Sequence, residues 1–307
     1  MSELIDDLLS GSAAAGLVPE GTRHLKRYAF LFVADISGST GLGGADADIH
    51  AINAMMNVIL GILRDPPAGD LRDNIDQVDV AVISYNHNIR LDLDWTLAAN
   101  ITTAVRWEAD GGTATGTAIK FGLDLIGRRI KYYKANDIPS GMPHIIHVTD
   151  GEPSDMTLGT ALWNDVCARL ARLDGTHKSE RAMAKILHFV APNGCCTHPQ
   201  SAHHDETGRL LSGQEVLAHL TGPKSVYELS KGAESMAELV KMVTAIITSV
   251  TQTFGTAEDT AQKFAQSSAL IAPTSSAAVD AHVAMPVGGT EKPMANPAAQ
   301  ATPRVAL

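Results

Sequence analysis

Three short oxygen-rich segments hold the residues of this chain best suited to chemistry: Asp35-Ile-Ser-Gly-Ser-Thr40, Asp110-Gly-Gly-Thr-Ala-Thr-Gly116 and Thr149-Asp-Gly-Glu-Pro-Ser-Asp155. The first offers a carboxylate and two hydroxyls at alternate positions. The second places a threonine after paired glycines, and the third sets a carboxylate beside another glycine. Hard cations such as Mg²⁺ and Mn²⁺ take about six oxygen ligands, and Mg²⁺ commonly keeps some of them as water. Carboxylates mixed with hydroxyls supply oxygen without excessive charge, so the ion stays electrophilic and can accept a further carboxylate from outside. Gly38, Gly112 and Gly151 mark where tight turns or close backbone approach would be needed. Taken singly, each segment is also what a helix cap or a turn would use. Their order, each at a strand end or just before a helix, is what points to a metal site.

The intervening pattern supplies elements that would bring these segments together. Tyr28 to Asp35 is a continuous apolar run closing on a polar residue, as a buried parallel strand would be. Ile49 to Leu63 has helical periodicity. Val78 to Tyr85 is a second strand, and Ile89 to Trp95 alternates like a half-buried partner across the Asn86-His87-Asn88 turn. Further on, the pattern predicts a helix over 117–133, a strand over 144–149, a helix over 158–173, strands over 184–190 and 225–229, and a closing helix over 235–250. Strands alternating with helices predict an α/β fold: a doubly wound, mostly parallel sheet with helices on both faces and one antiparallel edge strand. Such open sheets bind ligands in the crevice beyond the carboxyl ends of their strands.

On these three segments, in this order, the sequence resembles the von Willebrand factor A (vWA) family and its metal-ion-dependent adhesion site. The resemblance covers about residues 28–254 and implies a ligand set of Asp35, Ser37, Ser39, Thr113 and Asp150 around Mg²⁺, Mn²⁺ or Ca²⁺. It implies a binding module in which a protein partner docks an Asp or Glu carboxylate on the metal. The phrase His147-Val-Thr-Asp-Gly-Glu-Pro-Ser-Asp155 and the closing amphipathic helix look most like the bacterial tellurium-resistance-associated branch. That likeness implies a scaffold or regulator in a stress or phospho-signalling system, with a protein kinase or phosphatase as partner. Two features depart from the family pattern. Thr40 replaces an apolar residue, and the stretch from Pro192 to Ser212 looks like an insertion.

Other chemistries fit less well. Cys195, Cys196, His198, His203 and His204 lack the spacing of a zinc site, so a surface loop is expected there. His87, His144 and His147 lie in or beside strands, where core or loop roles are the expectation. Met55, Met56, Met236 and Met242 are expected to fill core gaps. Gly38-Ser-Thr-Gly-Leu-Gly43 lacks the Gly-Lys-Ser/Thr of a phosphate-cradling loop. A rival of a different class is an Mg²⁺-dependent phosphohydrolase with Asp35 as nucleophile. That chemistry usually puts a second aspartate two residues on, where Ser37 stands, so no enzyme activity is expected. A metal-independent scaffold is the third alternative, and the complete ligand set counts against it.

Size and composition bound the rest. The chain has 307 residues, 45% of them hydrophobic, which suits one large domain with appended segments. A formal net charge of -10 argues against a nucleic-acid-binding surface, which needs clustered Lys and Arg. No apolar run reaches the ~20 residues that span a bilayer. The acidic opening MSELIDDLLSG is not a secretory signal, and the three cysteines form no disulfide framework, so a reduced, cytoplasmic protein is expected. Residues 1–27 form a helical lead-in. Residues 255–307, rich in Ala, Ser, Thr and Pro, are expected to form a low-complexity, disordered tail.

Overall fold

Tyr28–Asp35 (β1), Val78–Tyr85 (β2) and His144–Thr149 (β4) are buried at every position. Burial on both faces is why their sequences run apolar without alternation. The structure, a computed structural model, describes residues 17–38, 47–149, 152–171, 184–190, 203–229, 233–251 and 271–273. The remaining strands are Ile89–Leu97 (β3), Lys185–Val190 (β5), Val226–Leu229 (β6) and Ile271–Pro273 (β7). The α-helices are Ala47–Arg64 (α1), Asp70–Asn74 (α2), Thr115–Ala135 (α3), Ala161–Ala171 (α4), Gly213–Thr221 (α5) and Ala233–Thr251 (α6). Among the described residues no helix is long and apolar enough to cross a membrane.

The strands form one sheet in the order β3-β2-β1-β4-β5-β6-β7. Pairs β1/β2, β1/β4, β4/β5 and β5/β6 are parallel, while β2/β3 and β6/β7 are antiparallel. The result is the doubly wound α/β sheet that the alternation predicts, with one difference: both edges are antiparallel. The second edge, β7, comes from the segment beyond 255 whose composition gave no sign of packing. Tyr227, Glu228 and Leu229 pair with Pro273, Ala272 and Ile271. Residues 1–16 of the expected lead-in lie outside the described residues, as does most of the expected tail.

Phe30 and Phe32 of β1 pack into one apolar layer with Met56, Ile59 and Leu60 of α1 and Met242, Val243 and Ile246 of α6. Leu31 and Val33 face the other layer with Ile119, Phe121 and Ile126 of α3 and Val166 of α4. Gly122 lets α3 pack close on the sheet, because a Cβ there would stand 2.9 Å from Leu31 Cδ2. Met55, Met56 and Met242 are buried, as core methionines are.

This second layer also encloses charge. Asp79 of β2 accepts hydrogen bonds from Arg27, from Arg129 at 2.9 Å and from the Tyr133 hydroxyl, and Asp79 and both arginines are buried. A buried carboxylate between two guanidinium groups stands only while every member is present. Arg27 also hydrogen-bonds the Asp76 carbonyl, and it bridges to Ser140 in parallel register. These contacts tie Arg27, at the end of the expected lead-in, to the start of the sheet.

One irregular stretch is held by side chains in place of a ladder. Asn53 and Asn57, one turn apart on α1, each exchange two hydrogen bonds of 2.7–2.9 Å with the backbone of Trp107 and Val105. The primary amide mimics a peptide edge, so this segment, although not a strand, has its polar backbone satisfied. It leads directly into the loop that bears Thr113.

Candidate metal centre

The strand order reverses direction at β1 and β4, whose neighbouring carboxyl ends define the topological switch point of the sheet. Asp35 ends β1, and its carboxylate is fully buried. Asp35 Oδ1 accepts the Ser37 backbone N–H at 2.9 Å, and Oδ2 accepts the Thr149 hydroxyl from the end of β4 at 2.6 Å. The tight Asp-x-Ser turn makes the first bond, and the parallel register of β1 and β4 makes the second. Burial raises the Asp35 pKa above its ordinary value, opposed by its hydrogen bonds with Thr149, Ser37 and Tyr85. Among the described residues no Lys, Arg or His forms an ion pair with it.

The loops around this carboxylate are stitched through their backbones. Ile36 N–H donates to Tyr85 O at 2.8 Å, Gly38 N–H to Gly111 O at 2.9 Å, Asp110 N–H to Ile36 O at 3.1 Å and Ala114 N–H to Asn86 O at 2.9 Å. The β1, β2 and Thr113 loops are thus one connected surface. Glycine is required at Gly111, where φ is +72° and a Cβ would run into the His87 ring. Gly112, the residue singled out from sequence, has no such conformation. Gly38 does lie close to backbone, a Cβ there meeting Gly111 O at 3.2 Å.

The third segment braces the second. Ser154 Oγ both accepts from Thr113 N–H at 3.0 Å and donates to Thr113 O at 2.9 Å, and Ser154 N–H donates to the same carbonyl at 2.9 Å. The Asp155 carboxylate accepts from Gly116 N–H, Thr117 N–H and the Thr117 hydroxyl at 2.7–2.9 Å. It thereby caps the first turn of α3 from a distant loop, satisfying donors that a helix start leaves open.

Of the five residues expected to hold a metal, the structure brings Asp35, Ser37 and Thr113 to this crevice, all three buried. Ser39 and Asp150 lie outside the described residues, as do Thr40 and Gly151. Among the described residues no group of three or more His, Cys, Asp or Glu is arranged for a metal. The donors here are a different kind, one carboxylate with Ser and Thr oxygens. They fit a hard cation, which prefers carboxylate and hydroxyl oxygens, and the Thr113 side chain makes no hydrogen bond among the described residues. A buried carboxylate without a counter-charge is costly, and a cation offsets that cost.

The sequence offered no direct sign of the groups behind the carboxylate. The Tyr85 hydroxyl lies 2.7 Å from His147 Nε2 and 3.2 Å from Thr115 Oγ1, and His147 Nδ1 lies 2.7 Å from His188 Nδ1. His147 is a buried, hydrogen-bonded core residue, whereas His144 stacks on Phe30 with ring centroids 5.3 Å apart. The only available signal was period: Tyr85, His147 and His188 sit at inward positions of strands. Of the residues weighed as a zinc site, Cys195, Cys196 and His198 lie outside the described residues. His203 is buried, with Nε2 3.0 Å from Pro153 O, so this part of the expected insertion packs on the third segment. His204 bridges to Leu210 in a small antiparallel turn.

No family model and no curated protein matches the sequence. Solved structures similar to the chain include the pilus adhesin SpaC from Lactobacillus rhamnosus GG in its open conformation, at 11% identity over 73% of this chain with a TM-score of 0.49. A mutant of the PilB minor pilin from Streptococcus sanguinis is 12% identical over 75% of the chain, with a TM-score of 0.47. The ArnB paralog VWA2 from Sulfolobus acidocaldarius is 12% identical over 72%, with a TM-score of 0.40. The chain spans only 30%, 64% and 45% of the lengths of these three. These likenesses concern the fold alone, and the fold is already given by the chain's own strand order.

Proposed function

We propose that this chain is a metal-dependent protein-binding module of the vWA type. The observation that supports this best is Asp35: a buried carboxylate at the switch point, hydrogen-bonded by Ser37 and Thr149 and lacking a cationic partner among the described residues. Asp35, Ser37 and Thr113 would hold the ion, completed by Ser39 and Asp150 from segments outside the described residues. Bound Mg²⁺, Mn²⁺ or Ca²⁺ supplies an electrophilic position for an Asp or Glu carboxylate of a protein partner. The chain's own residues do the positioning. Thr149 and Ser37 fix the Asp35 carboxylate, Ser154 fixes the Thr113 loop, and Asp155 ties that loop to α3. The sequence likeness to the tellurium-resistance-associated branch supports a cytoplasmic scaffold or regulator in a bacterial stress or phospho-signalling system, with a kinase or phosphatase as partner.

The test is a pair of treatments that act on one ion. Mn²⁺ titration of the purified protein is expected to show one site, lost in Asp35→Ala and in Asp150→Ala. Capture of a partner kinase or phosphatase should be abolished by chelator and by Asp150→Ala, with no additional loss when the two are combined, because both remove the same interaction. Partner capture unchanged by either treatment would overturn the metal as docking surface.

A further inference from the structure

We infer that Tyr85, His147 and His188 are positioning residues for the Asp35 carboxylate, forming a buried hydrogen-bond chain whose donors all point toward it. The inference rests on Asp35 being a metal ligand, as proposed above, and extends that proposal to groups two strands away. The chain crosses the sheet from β5 through β4 and β2 to β1, on the face covered by α3. All four residues are fully buried. His188 Nδ1 meets His147 Nδ1 at 2.7 Å, His147 Nε2 meets the Tyr85 hydroxyl at 2.7 Å, and Tyr85 is the register partner of Asp35 on the neighbouring strand.

The direction of this chain follows from counting protons. A metal-binding carboxylate is ionised and can only accept, so Tyr85 donates to Asp35. Tyr85, having one proton, must then accept from His147 Nε2–H. Burial holds both imidazoles neutral, each with one N–H, so His147 Nδ1 is an acceptor and takes the proton of His188 Nδ1–H. The far end gives an independent check. Among the described residues, the buried His188 Nε2 has no hydrogen-bond partner. In the direction just derived it is a bare acceptor. In the opposite direction it would carry a proton and be an orphaned buried donor, the rarer arrangement in folded proteins. Both ends of the chain select the same tautomers: Nδ1–H on His188 and Nε2–H on His147.

Such a chain holds a carboxylate in one orientation and favours its ionised form in a dry core. Partners behind a metal ligand typically change affinity by ten- to a hundredfold when removed. Long-range ¹H–¹⁵N spectra of full-length protein with ¹⁵N-labelled histidine report both tautomers directly, with and without Mg²⁺. We expect Nδ1–H for His188 and Nε2–H for His147 in both conditions. Mn²⁺ titration should show about tenfold or greater weakening in Tyr85→Phe. In His188→Leu, loss of the terminal donor should leave His147 in a mixture of tautomers. A merely structural role would lower thermal stability without moving the Mn²⁺ affinity or the His147 tautomer. Reversed tautomers, or wild-type affinity in Tyr85→Phe, would overturn the inference while leaving the metal site intact. No Mn²⁺ binding by the wild-type protein would overturn the metal site and this inference together.

Discussion

At Asp35, His147 and His188, polar groups are buried on a sheet face that is otherwise apolar, and their environment sets their charge. Burial takes the His147 pKa down to about 3, and burial together with the neighbouring His147 takes His188 well below 6.5. The folded-state values lie below the unfolded ones, so unfolding takes up protons. The stabilising contribution is present above pH 6.5 and is lost as the pH falls toward about 3. Each histidine contributes up to ~1.4 kcal/mol per pH unit within its window. Denaturant titrations of metal-free protein should show His188→Leu with a shallower dependence on pH than wild type. Parallel pH profiles would mean that His188 is not buried as a neutral group. The site legible at this scale was the Asp-x-Ser and Gly-Gly-Thr chemistry. Thr149, whose hydroxyl holds Asp35, was hidden because it comes from 114 residues away.

The elements owe their positions to a few side chains at their ends. Helix α3 starts with no capping hydrogen bond from its own N-cap residue, Ala114, and Asp155 supplies the acceptors instead. Asp155→Ala should therefore cost roughly 1–3 kcal/mol of stability and weaken Mn²⁺ binding by loosening the Thr113 loop. Asp155→Asn, which keeps one acceptor oxygen, should lose less. Denaturation of the two variants side by side checks this, and equal stabilities for Ala and wild type would remove Asp155 from the account. At the opposite side of the sheet, β7 shields the edge of β6. A chain ending after Thr274 keeps β7 and should melt with the full-length protein. A chain ending at residue 254 exposes β6, and we expect it to lose about 1–2 kcal/mol and to self-associate through the bare edge. Scanning calorimetry with light scattering separates the two truncations, and identical behaviour would make β7 dispensable.

For the whole molecule, the choice lies between a binding module and an enzyme built on the same crevice. A phosphohydrolase using Asp35 as nucleophile requires a nearby acid for the leaving group. Here Ser37 occupies the position two residues on, where such an enzyme usually carries that acid. Purified protein with Mg²⁺ is expected to leave phosphate esters such as p-nitrophenyl phosphate at the background rate. Turnover that disappears in Asp35→Asn would replace the binding module with an enzyme.

Period and punctuation made the main strands and longer helices legible, since a buried strand and an amphipathic helix write their burial into neighbouring residues. Those same local patterns put Asp35 at a strand end and made the sheet doubly wound. The short helices α2 and α5 and the three-residue β7 were not legible, because so few residues carry no period of their own. Only the tertiary structure decided which groups meet between distant segments: Asp79 with Arg27 and Arg129, Asn53 and Asn57 with the 105–107 backbone, and His147 with Tyr85 and His188. These partners lie 41–62 residues apart in sequence, and nothing local couples them. Strand order and register bring them together, and both are fixed by how the whole chain buries its two apolar layers.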